Sequence, residues 1–497
     1  MNLVGFGLTL HDSSIAAYKE GKFLYRKAER QFNEKHAHGD MQWAKSVLKE
    51  WDIENCESMW ADWLKGSNSQ KIKDGNKLDH HYCHALSAGD KHDVNYVQDS
   101  YSLGPANTPS QQQMYSGFLK VANRQVLRFD QMSVATLLQV LLRSDYFNHM
   151  GELRQFVMQN TMDRDIRVFF EEVLNQKGHK DFSTFSQLID FPGKVMSLQS
   201  YGKPNYSKVE DWHKLERFRN RIVLSEVAHT DVANIDYDYI STLHKFCEQL
   251  MLDFAPDIPF HYSGGVAQNV VWNRAMLDAG KSPTIYPWAY DGGCSIGALN
   301  YLLDKHNIKR HSDWVQDDEA PADEPDGQTI SIVADLIAQN KVVGWYQGNG
   351  EVGPRALGNR SILFNPTNKE AKEKVNRIKQ REWWRPFGAS VLENKADRFF
   401  DLPVSRHMLF NSNVLYSGIP GVTHIDGTCR HQTVPDNDTP LYWLLSYVEH
   451  EIGVPVLLNT SLNQKGKPLC STIEQAIQLF KNTDMDALCV GNTLYQK

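Results

Sequence analysis

Residues 344–392 read GWYQGNGEVGPRALGNRSILFNPTNKEAKEKVNRIKQREWWRPFGASVL. An apolar strand pattern at 342–346 runs into this stretch, and Gly353 and Gly358 flank the pair Pro354-Arg355. Arg360 follows shortly after, and Lys379, Arg381 and Arg385 lie on a basic run broken by Trp383 and Trp384. Guanidinium forks match phosphate or carboxylate oxygens two at a time, so a Gly/Pro-fixed backbone carrying these cations reads as a site for an anionic substrate. A basic helix with a solvated face is the competing reading for residues 374–381 taken alone. Strand and helix patterns alternate on both sides of the stretch, which makes the fold class α/β.

The chain has 497 residues, enough for two domains. Its net charge of −7 argues against bulk affinity for nucleic acid while leaving a local basic cleft open. Seven scattered cysteines without a CxxC pair indicate neither a disulfide framework nor a Cys-rich zinc module, and they suit a reducing cytoplasm. The first residues lack a basic segment ahead of a long apolar run, and no stretch approaches a membrane span. The expectation is a cytoplasmic protein with no membrane partner.

Strand patterns at 3–10, 14–18 and 23–27 predict a small antiparallel unit with a turn at Lys19-Glu20-Gly21-Lys22. His11-Asp12-Ser13-Ser14 is the polar loop between its first two strands, a place where sites are built. Helices are expected at 40–51, 133–142, 166–175, 237–254, 270–279, 295–304 and 330–339, with strands at 193–198, 260–262 and 285–288. Residues 311–327, HSDWVQDDEAPADEPDG, read as a linker by composition, so the domain boundary falls at 310–328. No clear internal repeat is visible.

Three further constellations carry chemistry. His80 and His84 fall four apart on one helical face and can bind one metal, with Asp291 in a Gly-rich loop as a candidate third ligand. Two histidines and a carboxylate suit iron(II), with zinc as an alternative. Ser263-Gly264-Gly265-Val266-Ala267-Gln268-Asn269, between a strand and a helix, can cradle nucleotide phosphates on backbone N–H groups. Arg430, in HIDGTCR, and the loop Asn459–Pro468 after an apolar strand suit a small planar anion that carries its own NH2 group.

These residues resemble the ATP-dependent O-carbamoyltransferases of nodulation-factor and antibiotic biosynthesis. The matching pieces are HDSS (11–14), HHYCHALSA (80–88), GKVMSLQSYGKP (193–204), SGGVAQNVVWN (263–273), DGGCSIGA (291–298), GPRALGNRSI (353–362), IKQREWWRPF (378–387), HIDGTCR (424–430) and VPVLLNTSLNQKGKP (454–468). The resemblance implies an actin/RNase H-like (ASKHA) domain at 1–315 and a YrdC-like α/β domain at 328–497. It implies carbamoyl phosphate bound in the second domain, activated with ATP as carbamoyl-adenylate, and transferred in the first to an acceptor hydroxyl as AMP leaves. His80, His84 and Asp291 would hold the metal, iron(II) first, with Mg2+ a further candidate for the nucleotide. His11 would act near the acceptor hydroxyl. Arg355, Lys379, Arg385 and Arg430 would bind carbamoyl phosphate, with Asn459, Asn463 and Lys465 helping. Gly264, Gly265 and Asn269 would contact ATP.

The chain departs from that pattern at Lys465, where the family usually has Arg, at Leu462, where it has Phe, and at 94–99. These departures bear on acceptor choice. A sugar or other small metabolite is one expectation, and a hydroxymethyl group on a pyrimidine in a nucleotide or in DNA is the other, with Arg124 and Arg128 to handle an extruded base. A non-catalytic, ATP-binding regulatory protein of the actin-like class is the competing reading. It has no use for Arg355, Lys379, Arg385 and Arg430 together.

Overall fold

The computed structural model describes residues 1–9, 11–61, 76–88, 92, 94–103, 114–120, 126–129, 193, 196–205 and 237–497. The helices expected at 133–142 and 166–175 and residue Arg124 lie outside the described residues, as does the side chain of Arg128. The chain divides into two compact units, Met1–Trp60 with Tyr286–Lys497, and Ala61–Ile285. The boundary expected at 310–328 falls within the first of them.

In the first unit β1 (Asn2–Gly7), β2 (Ser14–Lys19) and β3 (Lys22–Lys27) form an antiparallel meander, and β4 (Glu57–Ala61) joins β1 in parallel. Glu20 and Gly21 both take positive φ, 51° and 87°, giving the left-handed turn that matches the twist of a tight hairpin. The helix Cys294–Lys305 packs on β1 so closely that a Cβ at Gly5 would meet Ser295 O at 2.1 Å.

The second unit repeats the plan. The short strand β5 (Lys77–Leu78) leads into the helix His80–Ser87. Then β6 (Asn95–Leu103), β7 (Met114–Lys120) and β8 (Val126–Phe129) form an antiparallel meander. β9 (Phe260–Ser263) is parallel to β6, and β10 (Pro283–Thr284) is parallel to β9. The order β8-β7-β6-β9 reproduces β3-β2-β1-β4, strand for strand and sense for sense. This is the duplicated sheet of the actin/RNase H-like class, and the repeat is visible in topology though not in sequence. Residues 196–198, expected in a strand, are helical: Ser197 Oγ bonds back to Gly193 O at 3.1 Å and only Leu198 there is buried.

The rest of the first unit is an eight-stranded α/β sheet. Its strands are β11 (Val343–Tyr346), β12 (Arg360–Phe364), β13 (Gly388–Leu392), β14 (Asn411–Asn413), β15 (Thr428–Val434), β16 (Val456–Ser461), β17 (Ala487–Val490) and β18 (Thr493–Gln496). They run in the order β14-β15-β13-β16-β12-β11-β17-β18. Alternation along the strands sorts side chains into two cores. Val343, Trp345, Leu363 and Leu457 meet the helices Gly327–Ala338 and Pro440–Ile452. Tyr346, Ile362, Phe364 and Leu458 meet the helices Ala371–Lys379 and Ile473–Lys481.

The acidic segment 311–327 is pinned rather than a loose tether. Asp317 N donates to Tyr25 O at 2.7 Å and Gln316 N to Gly350 O at 2.9 Å, while Arg360 holds Asp318 at 3.1 Å and Glu319 O at 2.8 Å. It stitches the meander to the eight-stranded sheet.

Gly5→Ala is expected to force the helix Cys294–Lys305 off β1 and cost about 1–3 kcal/mol or more, the usual range for overpacking. Urea unfolding reads this as a lowered midpoint. A wild-type midpoint would show that the contact is not as close as described.

Candidate functional site

The turn GPRALGNR is shaped by a carboxylate beneath it. Glu351 Oε1 accepts the backbone N–H groups of Leu357, Asn359 and Arg360 at 2.7, 2.9 and 3.2 Å. Gly358 takes φ +107°, and a Cβ there would meet Leu441 Cδ2 at 2.4 Å, so glycine is required. Arg360 is fully buried, stacks 3.6 Å over the Tyr346 ring and donates to the carbonyls of Gln347, Gly348, Glu319 and Cys470. It is a scaffold, not one of the ligand-facing cations that the sequence places beside Arg355.

Strand register brings the remaining pieces together. Gly388 on β13 pairs with Arg430 on one side and Asn459 on the other, so both side chains lie on one face of the sheet. Asn459 Nδ2 donates to Ala356 O at 3.3 Å and Gln432 Nε2 to Leu357 O at 2.8 Å, which hangs the Arg355 turn over these strands. Lys379 ends its helix buried, with Nζ on Asn463 Oδ1 at 2.7 Å, on Ser461 Oγ at 3.1 Å and on the Ser461 carbonyl. Lys465 Nζ and Arg385 Nε both face Glu382, at 3.0 and 3.2 Å.

Like charges dominate here. Burial first, then Arg430 and Arg381, hold the Arg355 pKa well below its usual value. Burial first, then Arg381, Lys35 and Arg385, do the same to Lys379. Burial lowers Arg430 as well, and its Nε is buried with no hydrogen-bond partner among the described residues. Burial works to raise Glu382, but Arg385 and Lys465 bring it down to about 2. Cations that destabilise one another in this way favour an anion among them. Arg381, felt by both Arg355 and Lys379, belongs to the site although the sequence reading left it in the basic run.

A second cluster surrounds His11. Asp12, in a left-handed conformation (φ 56°), accepts from His11 Nδ1 and His36 Nδ1 through Oδ2 at 2.9 and 2.8 Å. His11 Nε2 lies 3.5 Å from Asp291 Oδ2. Burial opposes the charged imidazole of His11, yet Asp291 and Asp12 together raise its pKa. Nothing in the sequence pattern singled out His36.

In the second unit the helix begins at the cap Asp79, whose Oδ1 accepts Tyr82 N at 2.9 Å. His80 and His84 are buried on one face, and both Nε2 atoms converge on Asp99 Oδ2 at 3.0 and 2.9 Å. Asp99 comes from β6, and its Oδ1 accepts Gly265 N at 3.1 Å. The sequence reading missed it because strand pairing, not spacing, delivers it. Two imidazole nitrogens and a carboxylate converging in this way form a donor set that fits a divalent metal. Gly264 takes φ +97°, and a Cβ there would meet Gln98 O at 2.1 Å, so that glycine serves a close backbone approach. Asn269 caps the helix Val270–Asp278 by accepting from Val271 N and Trp272 N, both at 3.2 Å.

Residues 334–497 match the family model described as Carbamoyltransferase C-terminus. The chain is 34% identical over 357 residues to the nodulation protein NolNO of Sinorhizobium fredii, covering 61% of this chain and 52% of that protein. It is 35% identical over 359 residues to NolO of Bradyrhizobium diazoefficiens, covering 61% and 65%. It is 27% identical over 336 residues to the 3'-hydroxymethylcephem-O-carbamoyltransferase of Amycolatopsis lactamdurans, again 61% and 65%. The chain therefore spans between half and two thirds of the length of these relatives. No helix among the described residues is long and apolar enough to cross a membrane.

The two neighbouring arginines are expected to respond in opposite ways. Arg360→Ala leaves Asp318 buried without its partner and should cost about 3–5 kcal/mol. Arg355→Met relieves repulsion from Arg430 and Arg381 and should leave stability unchanged or raise it by about 0.5–1 kcal/mol. Paired urea midpoints read both, and equal losses would put Arg355 in the scaffold too.

Proposed function

We propose that this chain, whose residues 334–497 match a carbamoyltransferase C-terminal domain, is an enzyme that moves a carbamoyl group from carbamoyl phosphate to an acceptor hydroxyl with consumption of ATP. The observation that carries this reading is the crowding of Arg355, Lys379, Arg381, Arg385 and Arg430 at one strand-end site, with Glu382 set against them. A small phosphate fits that charge, and Asn459 and Asn463 offer amide groups for the carbamoyl NH2.

In this proposal residues 328–497 bind carbamoyl phosphate, water cleaves its carbamoyl–phosphate link to give carbamate and inorganic phosphate, the carbamate oxygen bonds to the α-phosphorus of ATP as pyrophosphate leaves, and residues 1–315 carry out transfer from the carbamoyl-adenylate so formed. Gly264, Gly265 and Asn269 contact the nucleotide. In the transfer step the acceptor oxygen bonds to the carbamoyl carbon, and the bond from that carbon to the AMP oxygen breaks, its electron pair leaving with AMP. His11 takes the hydroxyl proton, oriented through Nδ1 by Asp12. His80 and His84, with Asp291 as the further ligand, hold a divalent metal, iron(II) first. Asp99, on which both Nε2 atoms converge, adds a further carboxylate to that donor set. When bound, the ion supplies Lewis acidity toward nucleotide phosphate. The acceptor is a hydroxyl-bearing small molecule.

Incubating the protein with ATP, carbamoyl phosphate and a panel of hydroxyl acceptors should release AMP and yield a product with one added carbamoyl group by mass spectrometry. Absence of AMP with every acceptor and with water would overturn the enzyme reading. Hydroxymethylated DNA belongs in the panel, since turnover on it that fades steeply with salt would favour a nucleobase acceptor. His80→Ala should lose the metal and the transfer step together, measured by metal analysis alongside turnover. Full turnover without metal would remove His80 from the ligands.

A further inference from the structure

Lys27 ends β3, Glu29 and Arg30 come shortly after it, and all three are buried. Buried charge in that density is costly, so its partners matter. Lys27 Nζ donates to Glu29 Oε1 at 2.5 Å and to Tyr290 OH at 2.6 Å, and lies 3.5 Å from Asp12 Oδ1. Tyr290 OH reaches on to Val352 O at 3.3 Å. The Arg30 guanidinium donates to Glu351 O at 3.1 Å and to Gly353 O and Leu469 O at 3.5 Å, while Ser471 Oγ donates to Arg30 O at 2.8 Å. Gly353 is pressed on the segment before Asp291: a Cβ there would meet Pro287 O at 2.6 Å.

One ionic chain therefore starts at Asp12, beside His11, and ends on the main chain of the two loops that carry Arg355 and Lys465. A guanidinium suits this place because its planar fork presents several N–H groups to carbonyls at once, which a lysine ammonium cannot reproduce. We infer that Arg30, with Tyr290, is a positioning residue for the anion site. It sets the Glu351–Arg355 turn and the Leu469 segment from the first sheet, so that the cations at Arg355 and Lys465 reach binding geometry only when the Asp12–Lys27–Tyr290 chain is intact. The inference rests on the cationic site of the proposed function but not on the reaction ascribed to it.

The test is calorimetric titration of inorganic phosphate into the full chain, with urea unfolding in parallel. Arg30→Lys keeps charge and bulk but not the fork. Its phosphate affinity should fall about tenfold, roughly the worth of one charge-assisted hydrogen bond. If Arg30 were merely scaffolding, the urea midpoint would drop while the folded variant bound phosphate like the wild type, and that result overturns the inference. If Arg30→Lys does not fold, Tyr290→Phe is decisive: it deletes one hydroxyl, should weaken phosphate binding several-fold, and wild-type affinity there overturns the inference. Failure of the wild type to bind phosphate would overturn the anion site itself, and the inference with it.

Discussion

Like charges cannot hold themselves together, so the turn that presents Arg355 to Arg381 and Arg430 must be fixed by something else. Here it is the Glu351 carboxylate, which collects three backbone N–H groups of the turn through one oxygen. Arg360 completes the work from the other side by filling five carbonyls and stacking on Tyr346. Glu351 is spent on backbone, and Arg360 on backbone and on the Asp318 carboxylate. That division lets the remaining cations lie close together without loosening the chain that carries them.

The same logic extends into the meander. Asp12, Lys27, Glu29 and Arg30 are buried together, and their value lies less in net stability than in specifying one arrangement of parts. Through Tyr290 and Arg30 they tie the polar loop at His11 to the turn at Arg355. The acidic segment adds a second tie through Asp317 and Asp318. Its composition suggested a tether, but its Asp318 carboxylate is the partner of the buried Arg360.

Sequence spacing was informative where chemistry and local geometry coincide. His80 and His84 share a helical face, so an i, i+4 pattern exposes them. Asn459, Gly388 and Arg430 are separated along the chain by tens of residues, and only strand register makes them neighbours. Asp99 and His36 were hidden for the same reason, because tertiary pairing delivers their side chains. Arg360 could not be told from Arg355 in sequence, since only the carbonyls gathered around its guanidinium in the fold mark it as scaffold. The duplicated strand plan also left no trace in sequence. Topology survives as long as apolar alternation is kept, whatever the individual residues become.

The lysine at 465 acquires a physical reason from the same geometry. Its ammonium meets one oxygen of Glu382 at 3.0 Å, and the other oxygen faces Arg385 Nε at 3.2 Å. A guanidinium at 465 would match both carboxylate oxygens with parallel N–H groups and draw Glu382 away from Arg385. A point charge takes one oxygen and leaves the other, so Glu382 can orient two cations at once. Its carboxylate, held down to about 2 by Arg385 and Lys465 against the opposing effect of burial, stays ionised throughout the physiological range. A lysine here thus makes a shared contact in place of a strong single one, and Glu382 keeps Arg385 aligned.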